Sequence, residues 1–454
     1  MSHLIADWAL LNHGFARDVQ VEVGADGSIA SVTPGAAGAE GERVAGVLVP
    51  GMTDLHSHAF QRSFAGRTSI ARGGDDFWSW REAMYRAAGH IGPEAMRAIT
   101  AYLGMRLLEG GYTSLVEFHY LFNDLDGARY ARPATMVDAV IEGAQAAGIG
   151  LTMLFGVYET GGFGRALEPG QRRFANTAAQ ALTMLADAQA LAAPNLRFGL
   201  APHSLRAVPP ASLREVCEGA AAIDPSAPIH IHVSEQTGEV SACIEALRAP
   251  PVAWLLDHAP VAPNWCLIHA THAGAEELQR VAAAGAVVGL CPSTEADLGD
   301  GIFGFAAFTE AGGRFGIGSD SNVCVQACDE LRLLEYAQRL ARRRRNLGPE
   351  APAVDGRHTG VTLWQAAALG GAQASGRPVG RIAPGCRADF CVLAPTLETA
   401  NAAPAFAVDA AIFAPGEPCV RDVMVGGKWL VRDGRHAAAE AITAEYARAL
   451  ALLP

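Results

Sequence analysis

The chain has 454 residues, half of them hydrophobic and 18% charged, a globular balance with ample apolar material for a large core. Its 35 basic and 47 acidic residues leave a formal net charge of −12. That excludes a general nucleic-acid or anionic-membrane binder and requires any anionic substrate to be captured by locally placed arginines. Lys428 is the sole lysine; every other basic residue is arginine.

Nine cysteines, scattered from Cys217 to Cys419 without a CxxC pair, suit reduced thiols better than a disulfide framework. The opening MSHLIADWAL lacks the basic and then apolar pattern of a signal peptide. No apolar run approaches the roughly 20 residues of a membrane span. The expectation is a soluble protein of the cytosol.

In chain order, the first pieces are short and β-like: Val19 to Val23, Ile29 to Val32 and Val44 to Val49, separated by turn signals such as Ala25-Asp26-Gly27. An alternation of apolar strand and amphipathic helix follows. Its strands are expected at Val47 to Leu55, Thr113 to Phe118, Gly150 to Val157, Leu196 to Ala201, Pro228 to Val233, Trp265 to Ala270, Ala286 to Leu290 and Arg314 to Gly318. Helical spacing marks Pro93 to Leu108, Thr135 to Ala147, Asn176 to Ala192 and Gly274 to Ala284. Eight such repeats predict a closed (β/α)8 TIM-type barrel, with the active site at the C-terminal ends of its strands. Arg342 to Arg345 reads as a solvated basic helix face after the last strand. Toward the C-terminus the β-character returns, at Gly385 to Leu393 and in a hairpin of Val420 to Val425 and Lys428 to Val431 around Gly426-Gly427. The division predicted is α/β: residues 1–48 with 378–435 as a small composite β-sandwich, 49–377 as the barrel, and 436–454 as a C-terminal helix.

The strand ends are polar. Strand one ends in His56-Ser57-His58, whose imidazoles share a face because strand side chains alternate. Strand five carries His230-Ile231-His232-Val233-Ser234-Glu235, strand six ends at His269, and strand eight ends in Gly318-Ser319-Asp320-Ser321-Asn322. One such motif is commonly packing; four of them at one end of one barrel form a site. Imidazole and carboxylate suit zinc, and the set also admits iron or manganese. His56, His58, His232 and Asp320 are expected to hold one ion and leave room for water. Four protein ligands exceed the usual three of catalytic zinc, so the Asp320 bond is expected to be long or shared with the water. His230 has the parity of His232 but lies deeper, as a hydrogen-bonded core histidine. Such an ion brings bound water toward ionisation at neutral pH. Asp320, His269 and Glu235 are the proton carriers on offer, and the sequence does not apportion the protons among them.

This arrangement resembles the amidohydrolase superfamily, many of whose members hold two metals bridged by a carboxylated lysine. With Lys428 far along the chain that bridge is excluded, and strand four ends instead in Ala201-Pro202-His203-Ser204. Glu159, near the end of strand three, is where a second metal would look for a bridge; the one-metal site is the expectation. The likeness sharpens in His56 to Arg62, in Asp76-Phe77-Trp78-Ser79-Trp80-Arg81-Glu82-Ala83-Met84-Tyr85, in Glu117 to Tyr120, in Ala201 to Arg206 and in His232 to Gln236. These segments look like those of the formimidoylglutamate deiminase family, and the resemblance runs over essentially the whole chain.

That resemblance implies hydrolysis of N-formimino-L-glutamate to N-formyl-L-glutamate and ammonia in histidine breakdown, one zinc ion, and a homodimer. Two substrate carboxylates need cationic clamps, and arginine is their usual bidentate partner. Arg81 and Arg206, on loops after strands one and four, are the candidates. Tyr120 can add a phenolic hydrogen bond, and Gln61 and His203 are placed for the polar middle or the amide-like nitrogen of the substrate. Within the superfamily the competing reading is an aminohydrolase of a heterocyclic base such as guanine or cytosine, which would favour aromatic stacking over two arginines. Outside it stands a non-catalytic barrel serving as a scaffold, against which the intact polar set argues.

Overall fold

Two eight-stranded sheets carry the fold. In the computed structural model, residues 2–71, 73, 77–348, 356–414 and 420–453 are described. Asp76 and Cys419 lie outside the described residues. The strands in chain order begin with β1 (Ser2–Leu11), β2 (Gly14–Val23), β3 (Ile29–Thr33) and β4 (Glu42–Pro50). Eight more follow: β5 (Met52–Ser57), β6 (Tyr112–His119), β7 (Gly150–Val157), β8 (Leu196–Pro202), β9 (Ile229–Val233), β10 (Trp265–His269), β11 (Val287–Leu290) and β12 (Arg314–Ile317). The last four are β13 (Phe390–Leu393), β14 (Val420–Val425), β15 (Lys428–Arg432) and β16 (Arg435–His436).

Strands β5 to β12 pair side by side in chain order, all parallel. A parallel bridge between Ser57 and Asp320 brings the last strand back to the first. Every residue of β6 and β7 is buried, the pattern of strands covered on both faces rather than one. The closure is reinforced by polar groups. Asp54 accepts from the backbone N–H and the hydroxyl of Ser319, at 2.8 and 2.6 Å, and the Asn322 amide donates to the His58 carbonyl at 3.0 Å. First and last strands are thereby fixed to each other just where the polar motifs begin.

The second sheet has the order β16-β15-β14-β13-β4-β1-β2-β3, antiparallel except where β1 runs beside β4. It draws on both ends of the chain and curls on itself: Val21 of β2, Leu48 of β4, Phe390 of β13 and Met424 of β14 share one buried cluster. The Gly27 turn, at φ 81°, lies against the Gly426 backbone so closely that an added Cβ would stand 2.6 Å from its carbonyl.

Several expectations need correction. The strand expected over Val47 to Leu55 is two strands in two sheets, β4 ending at Pro50 and β5 starting at Met52. The crossing is at Gly51, where a Cβ would come within 2.3 Å of the Thr113 side chain, so the two sheets meet too closely for any other residue. Strand β1 was not foreseen; its buried residues come as Leu4-Ile5-Ala6 and Ala9-Leu10, which hides a period of two. The arginine run is not a helix face: the helix Ala327–Arg342 ends before Arg343, which is left-handed at φ 53°, and all four arginines are exposed. The segment carrying Arg81 is a helix, Phe77–Ala88, not a loop. The C-terminal helix spans Ala439–Leu450. Among the described residues no helix is long and apolar enough to cross a membrane. Cys217, Cys243, Cys266, Cys291, Cys324 and Cys386 are free thiols.

Candidate metal centre and substrate cavity

At the C-terminal rim of the barrel the four expected ligands converge. The Nε2 atoms of His56 and His232 are 3.1 Å apart, and those of His58 and His232 are 3.3 Å apart. Asp320 Oδ1 lies 3.5 Å from the Nε2 of both His56 and His58. Donors bound at ~2.0–2.2 Å to one ion stand roughly 3–3.6 Å from their neighbours, so these separations fit a single cation.

The hydrogen bonds on the far side of the rings make the same point chemically. His58 Nδ1 donates to the Phe118 carbonyl at 2.9 Å and His232 Nδ1 to the His203 carbonyl at 2.8 Å. A carbonyl only accepts, so each Nδ1 holds the proton and each Nε2 presents a lone pair. Two lone pairs facing each other at 3.3 Å repel unless a cation lies between them. Burial, before the mutual repulsion of the rings, holds His56 and His232 well below the ordinary histidine range, and burial also lowers His58. All three are neutral and suited to a metal, whose ligands must be deprotonated.

Beside the four stand the acid–base groups. Nε2 of His269 is 3.6 Å from Asp320 Oδ2 and 3.7 Å from Glu235 Oε1. Burial raises the Glu235 carboxyl to about 7, with His269 pulling against it. Burial disfavours charge on His269, yet Glu235, Glu295 and Asp320 outweigh it and lift the imidazole to about 10. His269 and Asp320 both have left-handed backbones, at φ 66° and 45°, as does Ser234 at 53°. Such conformations persist in non-glycine residues only where the surroundings over-determine them, and they gather at functional sites.

A cavity opens over this cluster. His58, His232, Glu235, His269 and Asp320 form its floor, with His56 behind them and fully buried. Gln61, Tyr120 and His203 are on its wall, and the Gln61 amide donates to the Tyr120 hydroxyl at 3.0 Å. Arg81 and Arg206 reach the same cavity from the helix Phe77–Ala88 and from the turn after β8. Both guanidiniums approach the Trp78 ring, at 4.6 and 5.7 Å from its centroid. In each the Nε is buried with no hydrogen-bond partner among the described residues. All the site residues expected from sequence are thus brought around one space.

The two alternates are set elsewhere. His230 Nε2 donates to the Ala374 carbonyl at 2.9 Å, a core bond. Glu159 accepts from the Ser212 hydroxyl at 2.6 Å and from the Ala178 backbone N–H at 2.8 Å, away from the cluster. Lys428 is exposed on β15.

Sequence reasoning passed over several neighbours. Glu295, in the helix Pro292–Leu298, lies 3.2 Å from His269 Nδ1. Glu117, raised by burial to about 8, accepts from the Ala59 backbone N–H at 2.8 Å and secures the turn after His58. Glu239 accepts the backbone N–H groups of Ser234 and Glu235, at 3.2 and 3.0 Å, and so sets the loop that presents Glu235. Tyr85 and Tyr158 line the cavity and share the Gln171 amide as their donor. A Glu four residues past a strand-end Cys, or inside a first helical turn, carries no signal that separates it from an ordinary cap.

Barrel, terminal sheet and polar rim define a metal-dependent hydrolase of the amidohydrolase type, and residues 47–430 match the amidohydrolase family. Residues 1–46 match the N-terminal domain described as that of formimidoylglutamate deiminase HutF. The formimidoylglutamate deiminase of Pseudomonas aeruginosa is 46% identical over 448 residues, covering 97% of each chain. The chain therefore belongs to the amidohydrolase family and, within it, to the formimidoylglutamate deiminases. Among solved structures, an amidohydrolase from Brucella melitensis superposes with a TM-score of 0.92 at 43% identity, covering 99% of both chains. A zinc-bound adenosine deaminase from Xanthomonas campestris shares the fold, with a TM-score of 0.80 at 21% identity over 98% of this chain and 97% of that one.

Proposed function

We propose that the protein hydrolyses N-formimino-L-glutamate to N-formyl-L-glutamate and ammonia. The observation that carries the reading is one cavity with the histidine–aspartate cluster at its floor and, at its wall, two arginines whose Nε groups have no hydrogen-bond partner among the described residues. A linear amidine bearing two carboxylates fits that polarity.

His56, His58, His232 and Asp320 would hold the ion, and we assign zinc to it because neutral imidazoles with one carboxylate are a zinc set. Bound zinc supplies Lewis acidity and brings a water toward ionisation near neutral pH. Arg81 and Arg206 take the substrate carboxylates, each through parallel N–H donors. Gln61, Tyr120 and His203 orient the formimino nitrogen that remains attached to glutamate. Water oxygen attacks the formimino carbon of the amidinium, one water proton passes to Asp320, and His269 keeps the attacking oxygen in line. Glu235, poised near neutrality, protonates the terminal nitrogen, which leaves as ammonia when its C–N bond breaks. The hydroxyl oxygen becomes the formyl carbonyl as its proton returns to Glu235, and the proton held by Asp320 departs with ammonia as ammonium.

Family likeness further supports a homodimer working in the cytoplasm without nucleic-acid or membrane partners. We divide the chain as a composite β-domain (1–48 with 378–435), the barrel (49–377) and a C-terminal helix (436–454). Ammonia release from N-formimino-L-glutamate, set against guanine and cytosine, tests the substrate. Turnover of a base and not of the formimino compound would sink the assignment. Elemental analysis of the purified chain tests the metal, with one zinc per protomer expected.

A further inference from the structure

We propose that Glu295 is a positioning residue for the reaction, holding His269 so that its Nε2 edge faces Glu235 and Asp320. The role rests on the hydrolytic reading of the site. His269 is the last residue of β10, 1% exposed, on a left-handed backbone. Its ring has two polar edges. Nε2 faces the cavity floor, and Nδ1 faces Glu295 Oε1 at 3.2 Å. Rotation of the ring about its bond to the chain would carry both edges away from their partners. The bond from Nδ1 is the hydrogen bond that opposes that rotation.

Glu295 is well placed to do so. It is 7% exposed and rides on the short helix that follows β11, the barrel strand between His269 and Asp320 in the ring of strands. The same Oε1 accepts the Cys291 backbone N–H at 2.9 Å, which ties the carboxylate to the start of its own helix. A carboxylate only accepts, so the proton at this edge of His269 sits on Nδ1. A histidine oriented by a carboxylate at its far ring edge is a recurrent device; where the histidine binds a metal, loss of the partner commonly costs roughly 10–100-fold in metal affinity or activity.

The bond to Cys291 offers a plain alternative, in which Glu295 serves only to cap its helix. Two substitutions separate the roles. Glu295→Gln keeps an oxygen that accepts both N–H groups and removes the charge; Glu295→Ala removes both. Positioning predicts that kcat falls roughly tenfold in the first and roughly a hundredfold in the second, with KM within about threefold of the parent and metal content unchanged. A cap alone predicts a parental kcat in both, with only the melting temperature of the alanine variant reduced. A readout without substrate completes the test. In the ¹⁵N-histidine spectrum of the full-length metal-loaded protein, the Nδ1–H signal of His269 is assigned by its loss in His269→Asn. It should persist in Glu295→Gln and move in Glu295→Ala. Parental kcat in both variants with an unmoved His269 signal overturns the proposal. Absence of ammonia release in the parent protein overturns the substrate assignment instead, and the His269 signal still decides the role of Glu295.

Discussion

In the terminal sheet, left-handed backbone falls mostly on glycines such as Gly27, Gly46, Gly426, Gly427 and Gly434, with Asp18 and Asp433 beside them. At the barrel rim it gathers on Ser234, His269, Ala270, Asp320 and Asn322, none of them glycine. Buried charge divides the same way. The terminal sheet encloses an apolar cluster and two buried acids, Asp389, which accepts the Gly426 N–H at 2.7 Å, and Asp422, which pairs with Arg421 at 2.7 Å. The rim buries Asp54, Glu117, Glu235, Glu295 and Asp320 within one end of a barrel, and desolvation raises the first three into the neutral range. One region is relaxed and the other is held in a costly arrangement by everything packed around it. The difference locates the chemistry: strain and raised acids mark the rim as the part that is shaped for a task other than folding.

The comparison breaks first if the rim does not need its cation. His232→Ala removes the donor common to the two shortest nitrogen–nitrogen contacts. It should drop metal content well below one per protomer and lower kcat by roughly 10⁴-fold or more, the scale of losing both Lewis acid and ionised water. Parental turnover at low metal content would show that the histidine cluster is only packing.

Glu235→Gln probes the raised acids. It should lower kcat by roughly 10²- to 10³-fold while metal content holds, because the amide cannot shuttle a proton. Loss of the ion in this variant would move Glu235 from proton carrier to ligand. Arg206→Met sharpens the other end of the cavity. It should raise KM for N-formimino-L-glutamate and reduce kcat/KM at least about tenfold, about 1.4 kcal/mol, since a substrate carboxylate loses its partner. Formamidine, which lacks both carboxylates, should be hydrolysed equally by parent and variant; an equal loss on both would point to a distorted site.

What the sequence disclosed follows from the same contrast. The barrel strands are buried on both faces almost throughout, so they are largely apolar, and the polar residues at their ends stand out: His56, His58, His232, His269 and Asp320 were all legible. Arg81 was legible as a residue but not as part of a helix, since Phe77-Trp78-Ser79-Trp80 has more aromatic bulk than helical period. Strand β1 was hidden by its apolar runs, and the β4–β5 boundary by a single glycine between two apolar strands. Glu295, Glu117 and Glu239 were invisible because their partners are backbone N–H groups or a ring far away in sequence, which no local spacing encodes.

The smallest effect on turnover is expected from the relaxed region. Leu48, on β4, is fully buried in the cluster with Val21 and Phe390, and its strand runs into the barrel through Gly51. Leu48→Ala leaves a cavity and should lower unfolding stability by about 2–5 kcal/mol. Strand β5 is nevertheless fixed at its far end by Asp54 to Ser319 and by the Ser57–Asp320 bridge, bonds that do not pass through the terminal sheet. The variant should therefore melt at lower temperature while kcat per folded molecule stays within about twofold of the parent. If kcat fell together with stability, the rim would be borrowing its geometry from the terminal sheet, and the two regions would be one mechanical unit.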